Sequence, residues 1–162
     1  MDKKEISAQI MTSESFSEFG TLLVPVKEKI TFSNAFVNHY NDLGSLKDLG
    51  EDPVVSYFST YRRNFIIDNL ERHINTCEIF FPIYGTALMP FAPSFDDGTP
   101  DLDNMKVFVC IPGQPFIGGK GVWHLFPFPI GDRFEAYNIV EKRLIEDDLE
   151  NYTLKETIRI VL

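Results

Sequence analysis

A succession of short runs with strand-like patterning, beginning at Pro53, restricts the fold of this chain more than any other feature. Each run is alternating or continuously apolar, is rich in Val, Ile, Phe and Tyr, and is bounded by Gly, Pro, Asn or Asp. The runs read PVVSYFSTYR, NFIIDNLERH, EIFFPIYG, TALMPFAP, MKVFVCIP, VWHLFPFP and FEAYNIVEKR. Their spacing predicts an all-β protein, either a sandwich or a small barrel.

The segments around these runs are predicted to add further strands and one or two short helices. Residues 3–10 alternate and form a candidate first strand, and Thr12 or Ser13 is a candidate N-cap for a short helix. The stretch ITFSNAFVNHYNDLGSLKDLG is rich in turn residues and is interpreted mostly as loop. SFDDGTPDLDN is expected to hold one helical turn starting at Pro100, and TIRIVL to form a last strand.

Length and composition predict a single globular domain over residues 1–162. The chain is 44% hydrophobic and 14% aromatic, which is too apolar for a disordered protein. Its net charge is −9 and its Lys and Arg residues are spread out, so we expect no nucleic-acid partner, because phosphate contacts need clustered cations.

The cysteines and the lengths of the apolar runs indicate the cellular compartment of the protein. Cys77 and Cys110 are too few for a disulfide framework and lie in apolar runs, so we interpret them as reduced core residues. No run approaches the roughly 18 apolar residues that cross a bilayer, and MDKKEISAQI lacks the apolar core of a secretory signal. We therefore expect a cytoplasmic protein with no membrane partner.

Two histidines in separate runs are the main candidates for chemistry. If LERH is extended, Glu71 and His73 project from one face while Arg72 points the other way, because side chains alternate along a strand. His124 lies in a later strand that follows a glycine-rich turn. The hypothesis is that His73 and His124 line one cavity; the alternative is that they are hydrogen-bonded core residues.

The spacing around these histidines resembles the two motifs of the cupin superfamily. His73, four residues, Glu78, six residues and Gly85 match most of the first motif. The second is matched by Gly113, five residues, GKG at residues 119–121, two residues and His124. Glu71 stands where the first motif has its first His.

His73, Glu78 and His124 are therefore the candidate metal ligands, with Glu71 nearby. Two histidines and carboxylates suit a borderline divalent cation such as Mn, Fe, Ni, Co or Zn. The run CEIFFP does not settle whether Glu78 faces inward or is a solvated charge.

Three further residues are candidate substrate contacts. Lys120, in the glycine-rich turn, would suit a carboxylate ligand at the barrel mouth. Tyr84 and Tyr137 are the aromatic candidates, with a core role as the alternative.

Several ordered stretches resemble the ureidoglycolate lyase family within the cupins. They are SESFSEFG, NAFVNHYNDL, LERH, IFFPIYG, FAPSFDDGTPDLDNMKVFVCIPGQ and GVWH. The resemblance implies a cupin-like double-stranded β-helix, that is, a jelly-roll barrel, commonly homodimeric. It also implies an amidine-lyase type of enzyme that splits ureidoglycolate into glyoxylate and urea in allantoin and purine breakdown.

Carried over residue by residue, the resemblance adds Asn34 as a candidate substrate contact and supports Glu71, His73 and His124 as catalytic residues. Glu71 with either histidine would form the base and acid pair of the elimination. The chain departs from the family's usual residues at Tyr57, Gly118, Gly119, Glu78 and Leu125.

These departures leave two other functions open. One is a barrel that binds a sugar or a carboxylate without catalysis, as apolar walls with few polar anchors can do. The other is a different metal-dependent cupin enzyme.

Overall fold

The computed structural model describes residues 4–162, in which strands predominate. In chain order the strands are β1 (Lys4–Ile10), β2 (Gly20–Leu22), β3 (Ile30–Ser33), β4 (Asn38–Tyr40), β5 (Pro53–Tyr61), β6 (Ile66–His73), β7 (Glu78–Tyr84), β8 (Ala87–Ala92), β9 (Lys106–Cys110), β10 (Phe116–Gly118), β11 (Trp123–His124), β12 (Phe128–Pro129), β13 (Arg133–Glu141) and β14 (Leu149–Val161). The two α-helices, α1 (Ser13–Phe16) and α2 (Leu144–Asp147), have one turn each.

The strands form two main sheets and a small hairpin. The larger sheet has the order β11-β6-β14-β1-β9-β8-β12, and β11 also pairs with β8, so this sheet curls back on itself. The second sheet has the order β2-β10-β7-β13-β5, and β3 pairs with β4. The predicted fold class, an all-β barrel with one or two short helices, is confirmed.

Phenylalanines fill the space between the two sheets. Phe16 lies at the centre, with its ring edge-on to Phe91, Phe108 and Phe116 at centroid distances of 5.1, 5.3 and 5.5 Å. Each of these side chains is at most 1% exposed. Edge-to-face packing of this kind adds stabilisation beyond the burial of apolar area. The core therefore fixes how the two sheets face each other.

The N-terminal region is more regular than the sequence predicts. Residues expected to be mostly loop contain the hairpin of β3 and β4. Helix α1 begins after Thr12, whose hydroxyl accepts from the backbone N–H of Ser15 at 3.0 Å. The helical turn expected at Pro100 was wrong; this residue instead forms an isolated β-bridge with Ser94.

The turn that joins β7 to β8 depends on Gly85. Its φ angle is +76°, and a Cβ atom there would overlap the carbonyl oxygen of Arg133. Any other residue would be strained in this conformation and would collide with β13. Gly85 therefore secures the turn by which the chain leaves the strand that carries Glu78 and crosses to the larger sheet.

Both cysteines are buried free thiols, as predicted. Burial raises the pKa of the Cys110 thiol to about 12, so it is inert at neutral pH.

Within residues 4–162, no helix combines the length and the apolar character that crossing a membrane requires.

Candidate active site

Strand pairing brings the two histidines together. His124 on β11 lies directly opposite Glu71 on β6, so these two side chains share a face of the sheet. His73 follows two residues later on the same face. The imidazole centroids of His73 and His124 are 5.4 Å apart. Arg72 points away from the site, where it pairs with Glu150 at 2.7 Å.

Glu78 enters the same space from the other sheet, at the first position of β7. Its Oε2 atom lies 3.2 Å from Nε2 of His124 and 3.6 Å from Nε2 of His73. Glu71 Oε1 lies 4.0 Å from Nε2 of His124. Glu78 and both histidines are at most 7% exposed. The ambiguity of the CEIFFP run is resolved here, since Glu78 and Phe80 face inward while Ile79 packs in a separate cluster outside.

Backbone carbonyls fix the tautomer of both imidazoles. Nδ1 of His73 lies 3.2 Å from the carbonyl oxygen of Asp148, and Nδ1 of His124 lies 3.0 Å from that of Val122. A carbonyl oxygen only accepts, so each Nδ1 carries the proton and donates. Each Nε2 therefore presents its lone pair to the site when the ring is neutral, as a metal ligand requires.

The carboxylate of Asp148 organises the turn between β6 and β7. It accepts hydrogen bonds from the backbone N–H groups of Ile74, Asn75 and Thr76 and from the side chains of Asn75 and Thr76, at 2.8 to 3.1 Å. Burial alone would raise the pKa of Asp148, but these hydrogen bonds lower it overall. Asp148 thus holds the segment that separates His73 from Glu78 and, through its carbonyl, orients His73.

Burial and neighbouring charges shift the pKa values of the site residues in different directions. Burial raises the pKa of Glu71, an effect that His124 opposes and Glu78 adds to. Burial lowers the pKa of His73 against the attraction of Glu78. Burial would lower the pKa of His124 as well, but the hydrogen bond and charge of Glu78, together with Glu71, raise it overall. Glu71 and His124 therefore hold a proton more tightly than the free side chains do, whereas His73 holds its proton less tightly.

A cavity of about 510 Å³ opens above this cluster. Its polar lining residues are Ser56, Tyr57, Glu71, His73, Glu78, Asn138, Glu141, Lys142 and Glu146. Its apolar wall includes Phe58, Phe126 and Val140, and α2 stands at the rim. Such a cavity suits a small polar molecule that reaches Glu71, His73 and Glu78, whereas His124 does not line the cavity and contacts it through Glu78.

The other predicted substrate contacts are not brought to this cavity. Lys120 forms an exposed ion pair with Asp48 at 3.0 Å. Tyr84 and Tyr137 lie on the outer face of the smaller sheet and are about half exposed. Asn34 caps the β3–β4 turn by accepting from the N–H groups of Phe36 and Val37.

Three residues of the site were missed by the sequence analysis. Asp148 lies in an acidic segment where nothing distinguishes it from its neighbours. Lys142 lies at the cavity rim, paired with Asp52 at 3.0 Å. Asn138 had a detectable signal, because it alternates with Ala136 and Val140 on the apolar face of its strand and is the polar exception.

The donor set of His73, Glu78 and His124 fits a divalent metal. One ligand atom from each lies within 4.8 Å of the others. Metal–ligand bonds of about 2.1 Å at tetrahedral or octahedral angles place neighbouring ligand atoms roughly 3.0–3.4 Å apart. The 3.2 and 3.6 Å separations around Glu78 are close to this range. The cluster could therefore hold a metal.

Fold and site together define a small β-barrel protein with a buried, metal-competent histidine and carboxylate centre at the base of a cavity. Its sequence identifies the family. The model of the family described as ureidoglycolate lyase matches residues 3–161, and the chain belongs to this family. A protein from Schizosaccharomyces pombe named ureidoglycolate lyase is 26% identical, over 100% of this chain and 98% of its own length. The resemblance noted from the sequence is confirmed.

Two solved structures of oxalate decarboxylase from Bacillus subtilis are also similar. One is a point mutant, with a TM-score of 0.43 and 17% identity. The other concerns that enzyme's Mn(II) centres, with a TM-score of 0.42 and 18% identity. Each match covers 64% of this chain, which spans only 24% of the length of the oxalate decarboxylase chain.

Proposed function

We propose that this protein is a ureidoglycolate lyase that uses the centre formed by Glu71, His73, Glu78 and His124. Family membership over nearly the whole chain favours this activity over a binding barrel or a different metal-dependent enzyme. The observation that carries the assignment of the site is that Glu71, His73 and Glu78 line the 510 Å³ cavity, with His124 in contact with both carboxylates.

His73, Glu78 and His124 would hold a divalent metal through Nε2, a carboxylate oxygen and Nε2. Backbone carbonyls hold the Nδ1–H groups of both rings, so the Nε2 lone pairs face the site when the rings are neutral. This orientation supports the role of both histidines as metal ligands. A bound divalent metal would supply Lewis-acid polarisation of the substrate's oxygen atoms. Mn, Ni, Fe and Zn are all compatible with two nitrogen ligands and one oxygen ligand.

Glu71 is the residue that moves the proton. The reaction converts the hydroxyl of the substrate to a carbonyl while the C–N bond breaks and the electron pair leaves with nitrogen. Glu71 takes the hydroxyl proton and returns it to the departing nitrogen, which gives glyoxylate and urea. Its pKa, raised by burial, suits a group that must both accept and release this proton. In metal-free protein His124, whose pKa is also raised, is the alternative acid.

The rim supplies a cation for the substrate carboxylate. Lys142 is the one lysine among the described residues that line the cavity, and its ammonium group is solvent-exposed beside Asp52. We assign it the task of attracting the anionic substrate, which the sequence analysis gave to Lys120.

The test is release of urea from ureidoglycolate by the purified protein, with and without added Mn or Ni. Wild-type protein should release urea, and Glu71→Gln should lower the rate by at least about 100-fold. Asp68→Asn is the matched control, because Asp68 is exposed on the same strand. No urea above background with either metal would refute the proposed function.

We also propose that the protein is a homodimer and that it is located in the cytoplasm. The outer face of the edge strand β5 and its neighbour β13 exposes Val55, Tyr57, Tyr61 and Tyr137, and apolar patches of this kind commonly mark protein interfaces. The two free thiols support a reducing compartment.

A further inference from the structure

Asn138 is a buried polar residue that the proposed mechanism leaves unused. It is 8% exposed and lies on β13, where strand pairing places it between Ser56 of β5 and Phe80 of β7. Its side chain lines the same cavity as Glu71 and Glu78. Asn138 thus stands on the wall of the smaller sheet, two residues along the paired strand from Glu78.

The side-chain oxygen of Asn138 is fully buried and has no hydrogen-bond partner among the residues that the structure describes. A buried carbonyl without a donor costs free energy, so such an atom is usually satisfied by a ligand or an ordered water. The atom is an acceptor, and its natural partner is therefore an N–H or O–H group entering the cavity.

We propose that Asn138 is the specificity-determining residue that binds the ureido end of the substrate. This inference rests on the proposed function, in which Glu71 takes the proton of the substrate's hydroxyl and Lys142 attracts its carboxylate. The carboxylate cannot donate, and the hydroxyl donates to Glu71. The remaining donors are the ureido N–H groups.

A primary amide and a ureido group are complementary. The oxygen of Asn138 accepts from the terminal NH₂ of the substrate, and the amide nitrogen of Asn138 can donate to the ureido carbonyl. A site built to pair with an N–H group rejects an analogue that lacks it, because the buried acceptor is then left unpaired. Asn138 accordingly selects for ureido compounds over acyl compounds of the same shape.

The experiment compares two unreactive ligands by calorimetry, with metal-loaded protein. N-carbamoylglycine has the carboxylate and ureido groups without the hydroxyl, and N-acetylglycine replaces the terminal NH₂ with a methyl group. Wild-type protein should prefer N-carbamoylglycine by about 10-fold, the value of one hydrogen bond. In Asn138→Leu the two affinities should become equal, while the thermal midpoint without ligand stays at or above that of wild type, because the unpaired acceptor is gone.

Thr60→Val is the matched control. The Thr60 hydroxyl is also buried without a partner, but it lines the neighbouring cavity beyond Phe58, so the preference should remain. An unchanged preference in Asn138→Leu, in a protein whose wild type releases urea, would overturn the role of Asn138 alone and would indicate that a water satisfies it. Wild-type protein that neither releases urea nor binds N-carbamoylglycine would instead remove the proposed function.

Discussion

The carboxylate of Glu78 lies 3.2 Å from Nε2 of His124, although the two residues come from different sheets. The contact joins the start of β7 to β11 at the base of the cavity. With His73 it forms a donor set whose outer hydrogen bonds end on the carbonyl groups of Asp148 and Val122. The chemistry of the site therefore depends on how the two sheets are held together.

Metal content should follow the three ligands. Replacing His73, Glu78 or His124 with Ala should weaken metal binding by more than the roughly 10–100-fold that loss of an outer partner gives. His39→Ala is the control, since His39 is exposed on the β3–β4 hairpin. Elemental analysis of protein purified without chelators measures the effect. Equal metal content in all four variants would place the metal elsewhere.

The fall in activity on the acid side of the pH profile should reflect protonation of Glu71. Its ionised form is needed to take the proton, and burial raises its pKa. Activity should therefore fall, as pH decreases, at a higher pH than the ordinary glutamate pKa of about 4.3 would give. The measurement is kcat/KM for urea release between about pH 4 and 8. If activity instead falls at the ordinary glutamate pKa, the ionisation of Glu71 does not control the rate.

Asp148→Asn should destabilise the protein by roughly 2–4 kcal/mol at pH 7, because an amide NH₂ replaces an oxygen that accepts from buried N–H groups. The pKa of Asp148 is lowered on folding. Its contribution is therefore fully present above the unfolded value of about 3.9 and is lost as pH falls through the folded pKa.

Urea denaturation at pH 7 and below pH 4 tests this prediction for Asp148. The difference between wild type and the variant should shrink in acid. Asp147→Asn is the control, because Asp147 is exposed and its ion pair with Arg143 lies on the surface. A difference independent of pH would show that the charge of Asp148 is not responsible.

Two glycines provide a matched test of turn geometry. Gly85 and Gly113 have φ angles of +76° and +78°, but nothing lies within 4 Å of a Cβ at Gly113, whereas a Cβ at Gly85 would overlap Arg133. Gly113→Ala should cost about 1–2 kcal/mol from backbone strain alone. Gly85→Ala should cost roughly 1–3 kcal/mol more, from the collision. Chemical denaturation gives both values, and equal losses would contradict the structural difference.

The oligomeric state should depend on the outer face of β5 and β13. Sedimentation should give twice the chain mass of 18.6 kDa for wild type. Tyr137→Glu should give the monomer mass, because the Tyr57–Tyr137 ring pair, with centroids 5.5 Å apart, lies at the middle of the exposed patch. Phe36→Glu, at a 93% exposed position on the hairpin, should leave the dimer intact. A dimer that survives Tyr137→Glu would place the interface on another surface.

The sequence by itself determined the strand class and part of the site. Alternation put Glu71 and His73 on one face of a strand, because that period is a local property of the extended backbone. It also showed the short strands and the glycine turns. The family-like stretches, which occur in the right order, then identified the family to which the chain belongs.

Only the tertiary structure decided which residues meet. The inward direction of Glu78, the hold of Asp148 on the turn after His73, and the unpaired oxygen of Asn138 all depend on long-range strand pairing. The same pairing leaves Lys120 with Asp48, outside the cavity. A local sequence pattern does not specify the register between strands that are distant in sequence. That register decides which side chains share a cavity.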